Sequence, residues 1–340
     1  MNHRHLAVIG AGGWGTALAR LVAQKGFRTV IWSNETDAAC AINENHENTI
    51  FLPGVSLPDN LIATNRLDVA LDNPEAIIMA VPSRFVRAVA AQCNQHWRQE
   101  YMVINAGKGL EPATGKTLSQ VLLEEIGELH EGGVAVLSGP NHAEEVGRDI
   151  PSASVTAAYN LRVARFWQEL LATDSFRIYT NQDVLGVELA GALKNVVAVA
   201  AGICDGIGYG DNTKAAVITR GIAEITRLGK AMGAHAMTFA GLSGLGDLFA
   251  TAGSQHSRNR WAGEQLGKGK SYAEICSSTR MVIEGFNTAS AALNLAQTYA
   301  VEMPLTEKVN EIIEGRCSPS AAVVSLMRRE LVNEIEPDFL

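Results

Sequence analysis

Residues 6–32 read LAVIGAGGWGTALARLVAQKGFRTVIW. Leu6 to Ile9 is a short apolar run, and Gly10-Ala11-Gly12-Gly13-Trp14-Gly15 follows it at once. From Thr16 onward Leu18, Leu21 and Val22 share one helical face, and Gly26 ends the pattern before a second apolar strand, Arg28 to Trp32. GxGxxG alone is a weak signal, but strand, glycine turn, helix and strand in that order are the context it requires. The glycines allow a tight turn and a close backbone approach to a pyrophosphate, whose charge sits on the helix N-terminus. The stretch therefore predicts a βαβ unit that binds a dinucleotide over Gly10, Gly12 and Gly15. The next residues, Ser33-Asn34-Glu35, occupy the position that discriminates the ribose. An acid at the strand end favours NAD and an arginine favours NADP. Ser33 and Asn34 are neither, so the residues leave that choice open.

Working outward, strand and helix keep alternating. Ala76 to Val81, Tyr101 to Asn105, Val134 to Leu137, Ser152 to Thr156 and Phe176 to Tyr179 read as strands, with helices through Phe85–Cys93 and Val163–Leu171. Alternation of this kind predicts a mostly parallel sheet with helices on both faces, and ligands bind outside the carboxyl ends of such strands. Pro82, Lys108 and Asn141 all follow strand ends. Lys108, between Gly107 and Gly109, is placed to contact a phosphate or carbonyl, although a turn lysine facing water fits the same pattern.

The pattern changes at Asp183, a plausible N-cap, after which nearly every segment reads as helix. Candidate helices run through 184–204, 213–232, 259–266, 284–299, 305–313 and 319–331. The expected architecture is an α/β Rossmann-type domain over 1–182 followed by an all-α domain over 183–340. The first of these helices, VLGVELAGALKNVVAVAAGIC, carries Lys194 and Asn195 in an otherwise apolar run, with Val187, Ala190 and Ala198 around the lysine. Such a lysine either snorkels to a surface or sits in a desolvated site that tunes its pKa. In GLSGLGDLFAT (241–251), Asp247 opens a helix, where an aspartate is commonly a cap, and Thr251 lies one turn on. Ser257-Arg258-Asn259-Arg260 puts a hydroxyl, guanidinium and carboxamide at a helix start, a set that can fork around a phosphate or form a solvated polar turn.

Composition bounds these readings. A chain of 340 residues is long enough for two cores, since single cores stop growing at about 250–300 residues. A net charge of −8 argues against a dedicated nucleic-acid binder while allowing a local basic pocket. Five scattered cysteines without ligand spacing fit a reducing cytoplasm. MNHRHLAVIG runs straight into a strand with no signal peptide pattern, and the long apolar helix contains Glu188, Lys194 and Asn195, so no membrane span is expected. His3 and His5 could suggest a metal pair, but two histidines on a terminus read as solvated surface, no H-E-x-x-H or comparable cluster exists, and no metal is expected. Dinucleotide, lysine and phosphate fork together predict hydride transfer to a small phosphorylated carbonyl. A reductase of the ketopantoate or β-hydroxyacid type has no need of the fork, and a non-catalytic dinucleotide sensor has no use for Lys194.

The motifs GAGGWGTALA, NENHENTIFLPG, AGKGLE, SGPNHAEEV, GALKNVVAVAAGICDGIGYGDNTKAA, GLSGLGDL, SRNR and VIEG occur in one order along nearly the whole chain. In that order the sequence resembles the NAD(P)-dependent glycerol-3-phosphate dehydrogenases, closest to the bacterial form. The resemblance implies reversible reduction of dihydroxyacetone phosphate to sn-glycerol 3-phosphate by NAD(P)H, feeding glycerophospholipid synthesis, in a homodimer built through the helical domain. It implies that Lys194 is the proton acceptor and that Lys108 serves substrate and cofactor. Gly139, Asn141, Asp247, Ser257, Arg258 and Asn259 match substrate positions, and Asn195 and Thr251 match the pocket of the eukaryotic relatives. Gly13, Trp14, Asn34, Ala143, Arg258, Val282 and Glu284 match cofactor contacts. Asn141 stands where bacterial members usually carry serine or threonine, and an amide can still bond substrate. The basic residue common near Asn34 is missing, so either NAD(H) or NADP(H) is expected to work.

Overall fold

A computed structural model describes residues 5–279 and 281–334. The chain forms two compact units: one runs to Glu111 and from Lys116 to Glu188, and the other contains Pro112–Gly115 and the residues from Leu189 onward. The strands are β1 (Leu6–Ile9), β2 (Thr29–Trp32), β3 (Glu47–Asn48), β4 (Leu52–Ser56), β5 (Leu61–Thr64), β6 (Ala76–Met79), β7 (Val103–Asn105), β8 (Val134–Ser138), β9 (Ser152–Ala157) and β10 (Phe176–Asn181). The helices of the first unit are α1 (Gly13–Gln24), α2 (Thr36–Asn45), α3 (Leu67–Ala70), α4 (Val86–Asn94), α5 (Leu118–Glu125), α6 (Ala143–Val146) and α7 (Leu161–Leu171).

Eight strands form one sheet in the order β10-β9-β8-β7-β6-β1-β2-β5, and β3 and β4 pair separately. All pairings in the large sheet are parallel except β8 with β9. The strand alternation of period two sends Leu6 and Val8 into one core and Ala7 and Ile9 into the other, so β1 is buried on both faces. Leu6 is in register with Thr29 of β2 and with Ala76 of β6. The chain therefore leaves β1 in opposite directions along the sheet, which makes the β1/β6 edge the topological switch point. Lys25, just past α1, donates to the carbonyls of Glu169, Leu170 and Ala172 at 2.7–2.8 Å and so satisfies the C-terminal end of α7.

The segment between Trp32 and Ala76 holds more structure than its pattern announced. β5 completes the sheet edge with only alternate residues buried, and β3 and β4 are too short for a periodic signal. Other bounds shift as well: the strands expected to reach Val81 and to begin at Tyr101 are Ala76–Met79 and Val103–Asn105, and the Tyr101 backbone N–H closes a turn on the Arg98 carbonyl at 3.0 Å. His5 is not the solvated surface residue expected: it is buried, with a ring nitrogen 2.8 Å from the Ala70 carbonyl oxygen, while His3 lies outside the described residues.

The second unit contains α9 (Asp211–Ala231), α10 (Ala236–Phe239), α11 (Asp247–Gly253), α12 (Arg258–Gly267), α13 (Tyr272–Ser277), α14 (Glu284–Thr298), α15 (Pro304–Ile313) and α16 (Pro319–Met327), with α8 (Val184–Gly206) running into it from the first. The helix expected over 319–331 stops at Met327, ahead of the charged Arg328-Arg329-Glu330. Asp183 does cap α8, its carboxylate accepting the Gly186 N–H at 2.9 Å. By length and composition α8 could cross a membrane, yet the most apolar 18-residue window is 94% buried inside the protein. Glycines let α12 lie directly on it. A Cβ on Gly202 would fall 1.9 Å from the Arg260 carbonyl oxygen, and one on Gly263 would fall 2.0 Å from that of Val199.

Glu224 of α9 shows how the helices are tied. Its buried carboxylate accepts the N–H groups of Leu305 and Thr306 at 2.6 and 3.1 Å and the Thr306 hydroxyl at 3.0 Å, satisfying the first turn of α15 from a neighbouring helix. Burial pushes its pKa above the usual glutamate value, against the pull of these donors. The folded chain therefore holds this proton more tightly than the unfolded chain. The resulting stability is full below the unfolded pKa and is lost as pH rises through the raised one. Glu224→Gln, which cannot titrate, should gain on the native chain in thermal stability between pH 4.5 and 7. A difference in melting temperature that stays constant or moves the other way would contradict this.

Candidate active site

The glycine turn is shaped by what surrounds it. Gly10, at φ +111, has no room for a side chain, since a Cβ would meet the Ala80 carbonyl oxygen after β6 at 2.6 Å. Gly15 is closed by the Gly10 carbonyl oxygen at 1.9 Å and Gly13 by that of Phe51 at 2.6 Å. At Gly12, by contrast, a Cβ would meet nothing within 4 Å. That opening lies at the N-cap of α1, whose first turn carries no acidic side chain. The positive end of α1 thus has open space beside Gly12, and these residues fit a dinucleotide pyrophosphate.

Asn48, missed in the sequence reading, braces this turn. Fully buried, it donates to the Ala11 carbonyl and the Thr16 hydroxyl, both at 2.8 Å, and accepts the Phe51 N–H at 3.1 Å. Its only signal was a polar residue inside NENHENTIFLPG. Trp14 is half-buried; its indole donates to the Ala106 carbonyl at 3.1 Å and meets Phe176 edge-on. Asn34 is exposed after β2, and Ala143, half-buried, is the first residue of α6.

Three predicted residues of the first unit come together. Lys108 Nζ donates to the Gly139 carbonyl at 2.8 Å and to Asn141 Oδ1 at 2.6 Å. Its turn is fixed from behind by Asn105, whose amide bonds both the N–H and the carbonyl of Gly107 at 3.2 Å. Asn105 also donates to Glu188 at 3.3 Å, and Glu188 accepts the Ser119 N–H at 2.9 Å and the Ser119 hydroxyl. Burial pushes the Glu188 carboxyl up, opposed by the hydrogen bonds from Ser119, Thr117 and Asn105.

In the second unit Lys194 does not snorkel. It is 5% exposed, and Nζ donates to Asp247 Oδ1 at 3.0 Å and to the Thr251 hydroxyl at 2.5 Å. Thr251 in turn donates to Asp247 Oδ1 at 3.2 Å. Asp247 is therefore the counter-charge of a buried ammonium as well as the first residue of α11. A π-type turn over Leu242–Gly246, closed by Gly246 N–H to the Gly241 carbonyl at 3.1 Å, delivers Asp247 into this position.

The Ser-Arg-Asn-Arg run divides its labour. Ser257 is the N-cap of α12 and accepts the Arg260 N–H at 3.1 Å, while Arg260 pairs with Asp205 at 2.5 Å. Asn259 donates to Asn195 Oδ1 and accepts the Gly285 N–H, both at 2.9 Å, which ties α12 to α8 and α14. Arg258 is exposed at the first position of α12, the member of the run most open to an anion. Val282 and Glu284 flank the start of α14 and are half-buried.

Comparison with known proteins agrees with this picture. Residues 5–164 match the N-terminal and residues 183–324 the C-terminal family of NAD-dependent glycerol-3-phosphate dehydrogenase. The chain is 49% identical over 331 residues to a glycerol-3-phosphate dehydrogenase [NAD(P)+] of Pelotomaculum thermopropionicum, covering 97% of this chain and 95% of that one. A relative of the same name from Moorella thermoacetica is 46% identical over 97% of this chain and 98% of its own. The solved glycerol-3-phosphate dehydrogenase of Coxiella burnetii superposes with a TM-score of 0.91 at 36% identity, covering 96% and 99% of the two chains. By both family matches and by identity over nearly its whole length, the chain belongs to the NAD(P)-dependent glycerol-3-phosphate dehydrogenases.

Proposed function

We propose that Lys194 is the proton partner of the reacting oxygen in the family's reaction, the reversible reduction of dihydroxyacetone phosphate to sn-glycerol 3-phosphate. The observation that carries the reading is a lysine, 5% exposed, whose Nζ donates to a carboxylate and a hydroxyl. When bound, NAD(P)H supplies the hydride to the carbonyl carbon. Gly10 to Gly15 hold its pyrophosphate, with Trp14, Asn34, Ala143, Val282 and Glu284 as further contacts. Lys194 gives a proton to the carbonyl oxygen in reduction and, neutral, takes it back in oxidation. Asp247 holds the ammonium in place and favours its charged form, and Thr251 fixes its direction. Arg258 takes the substrate phosphate, with the remaining amide hydrogen of Asn259 and with Ser257 and Asn195 beside it. Lys108, Gly139 and Asn141 supply the cationic and polar contacts of the first unit.

Lys194→Ala should lower kcat for dihydroxyacetone phosphate reduction by about 100-fold or more, the usual worth of a positioned acid. The NADH dissociation constant, read by fluorescence, should stay within twofold. Turnover near that of the native chain would sink the assignment. Arg258→Ala should raise KM for dihydroxyacetone phosphate about tenfold or more with a smaller change in kcat; an unchanged KM would remove Arg258 from the phosphate site.

We further infer a homodimer in a reducing cytoplasm. All five cysteines are free thiols, and the second unit exposes Met237, Phe249 and Met327. Light scattering during gel filtration should give twice the chain mass of 36.3 kDa, and a monomer at micromolar concentration would refute the dimer.

A further inference from the structure

Asn141 is held on both sides. Its Oδ1 accepts from Lys108 Nζ at 2.6 Å, and its Nδ2 donates to the Ser154 hydroxyl at 2.9 Å. An ammonium only donates, so the oxygen of the amide must face Lys108. The NH2 end then points into a closed interior, where Asn141 is 6% and Ser154 is 0% exposed, and it needs an acceptor there. Ser154 lies within β9, which comes close to Gly139: a Cβ on that glycine would stand 2.9 Å from the Ser154 Cα. The strand therefore delivers the hydroxyl to the same loop that offers the Gly139 carbonyl to Lys108.

We propose that Ser154 is a positioning residue that sets the orientation of the Asn141 amide and, through it, the direction of the Lys108 ammonium. An asparagine can present either end of its amide, whereas a serine or threonine hydroxyl at position 141 could turn to suit Lys108 unaided. Asparagine at this position consequently needs a second group that accepts from its nitrogen, and Ser154 is that group. Without it the buried NH2 is left unmatched, a cost relieved when the amide turns and its oxygen leaves Lys108. The proposal rests on reading Lys108 and Asn141 as part of the substrate site.

A double-mutant cycle tests it. Ser154→Ala should lower kcat/KM for dihydroxyacetone phosphate about tenfold, on the scale of one unmatched buried donor. In an Asn141→Ala background the same substitution should change kcat/KM less than twofold. The far-ultraviolet circular dichroism spectrum should be the same in all four proteins, showing that the fold is intact. An equal loss in both backgrounds, or no loss in the native background, would overturn the role of Ser154 while leaving Asn141 in the site. If Asn141→Ala itself leaves kcat/KM unchanged, the reading of the site fails, and the role of Ser154 with it.

Discussion

A buried ammonium is the constraint around which the helical unit is arranged. Leaving an ion uncompensated in a protein interior costs several kcal/mol, and removing one partner of a buried pair typically destabilises by about 3–5 kcal/mol. Lys194 sits in the middle of α8, whose other positions are almost all apolar and buried. Among the groups that meet that cost are a carboxylate at 3.0 Å and a hydroxyl at 2.5 Å, both from α11. Replacing the pair with apolar side chains could be neutral or stabilising, so stability does not explain its presence. The proposed proton transfer would, because it needs a charge held at a fixed point away from bulk water.

Bringing α11 to that point depends on backbone geometry. The wide turn over Leu242–Gly246 has Gly244 pressed against Phe239, where a Cβ would fall 2.0 Å from the carbonyl oxygen. The glycines of α8 and α12 allow a similarly close crossing, and Asn259 then spans from α12 to Asn195 on α8 and Gly285 on α14. In the first unit the same logic applies on a smaller scale. Asn48 holds the glycine turn, and Glu188 with Asn105 holds the turn that carries Lys108. In each case a buried polar side chain with matched partners fixes a loop that follows a strand end.

Much of this was legible in the residues. The glycine turn between two apolar runs specified the βαβ unit and the carboxyl edge where Lys108 and Asn141 lie, and Asp183 marked the start of α8. Lys194 was visible as an oddity because a charge in an apolar helical run has few explanations. Its partners were harder to read. Asp247 lies 53 and Thr251 57 residues further on, and at a helix start an aspartate has a commoner role as a cap. Asn48, Ser154, Glu188 and Glu224 carried no local signal, since each acts through a bond to a distant segment and resembles any polar residue in its own. The Ser-Arg-Asn-Arg run read as a fork for a phosphate or a solvated polar turn, and the structure separates a cap, an exposed arginine, a tie between helices and an ion-pair partner.

The proposed proton of Lys194 is measured by the pH dependence of the reaction. A donor must be protonated to act, so kcat/KM for dihydroxyacetone phosphate reduction should fall at high pH as the Lys194 ammonium loses its proton. The same measurement on Lys194→Ala should show that descending limb gone, leaving a low rate that no longer follows this ionisation. A limb of the same midpoint and steepness in the variant would mean that another group carries the proton, and the assignment of Lys194 would be wrong.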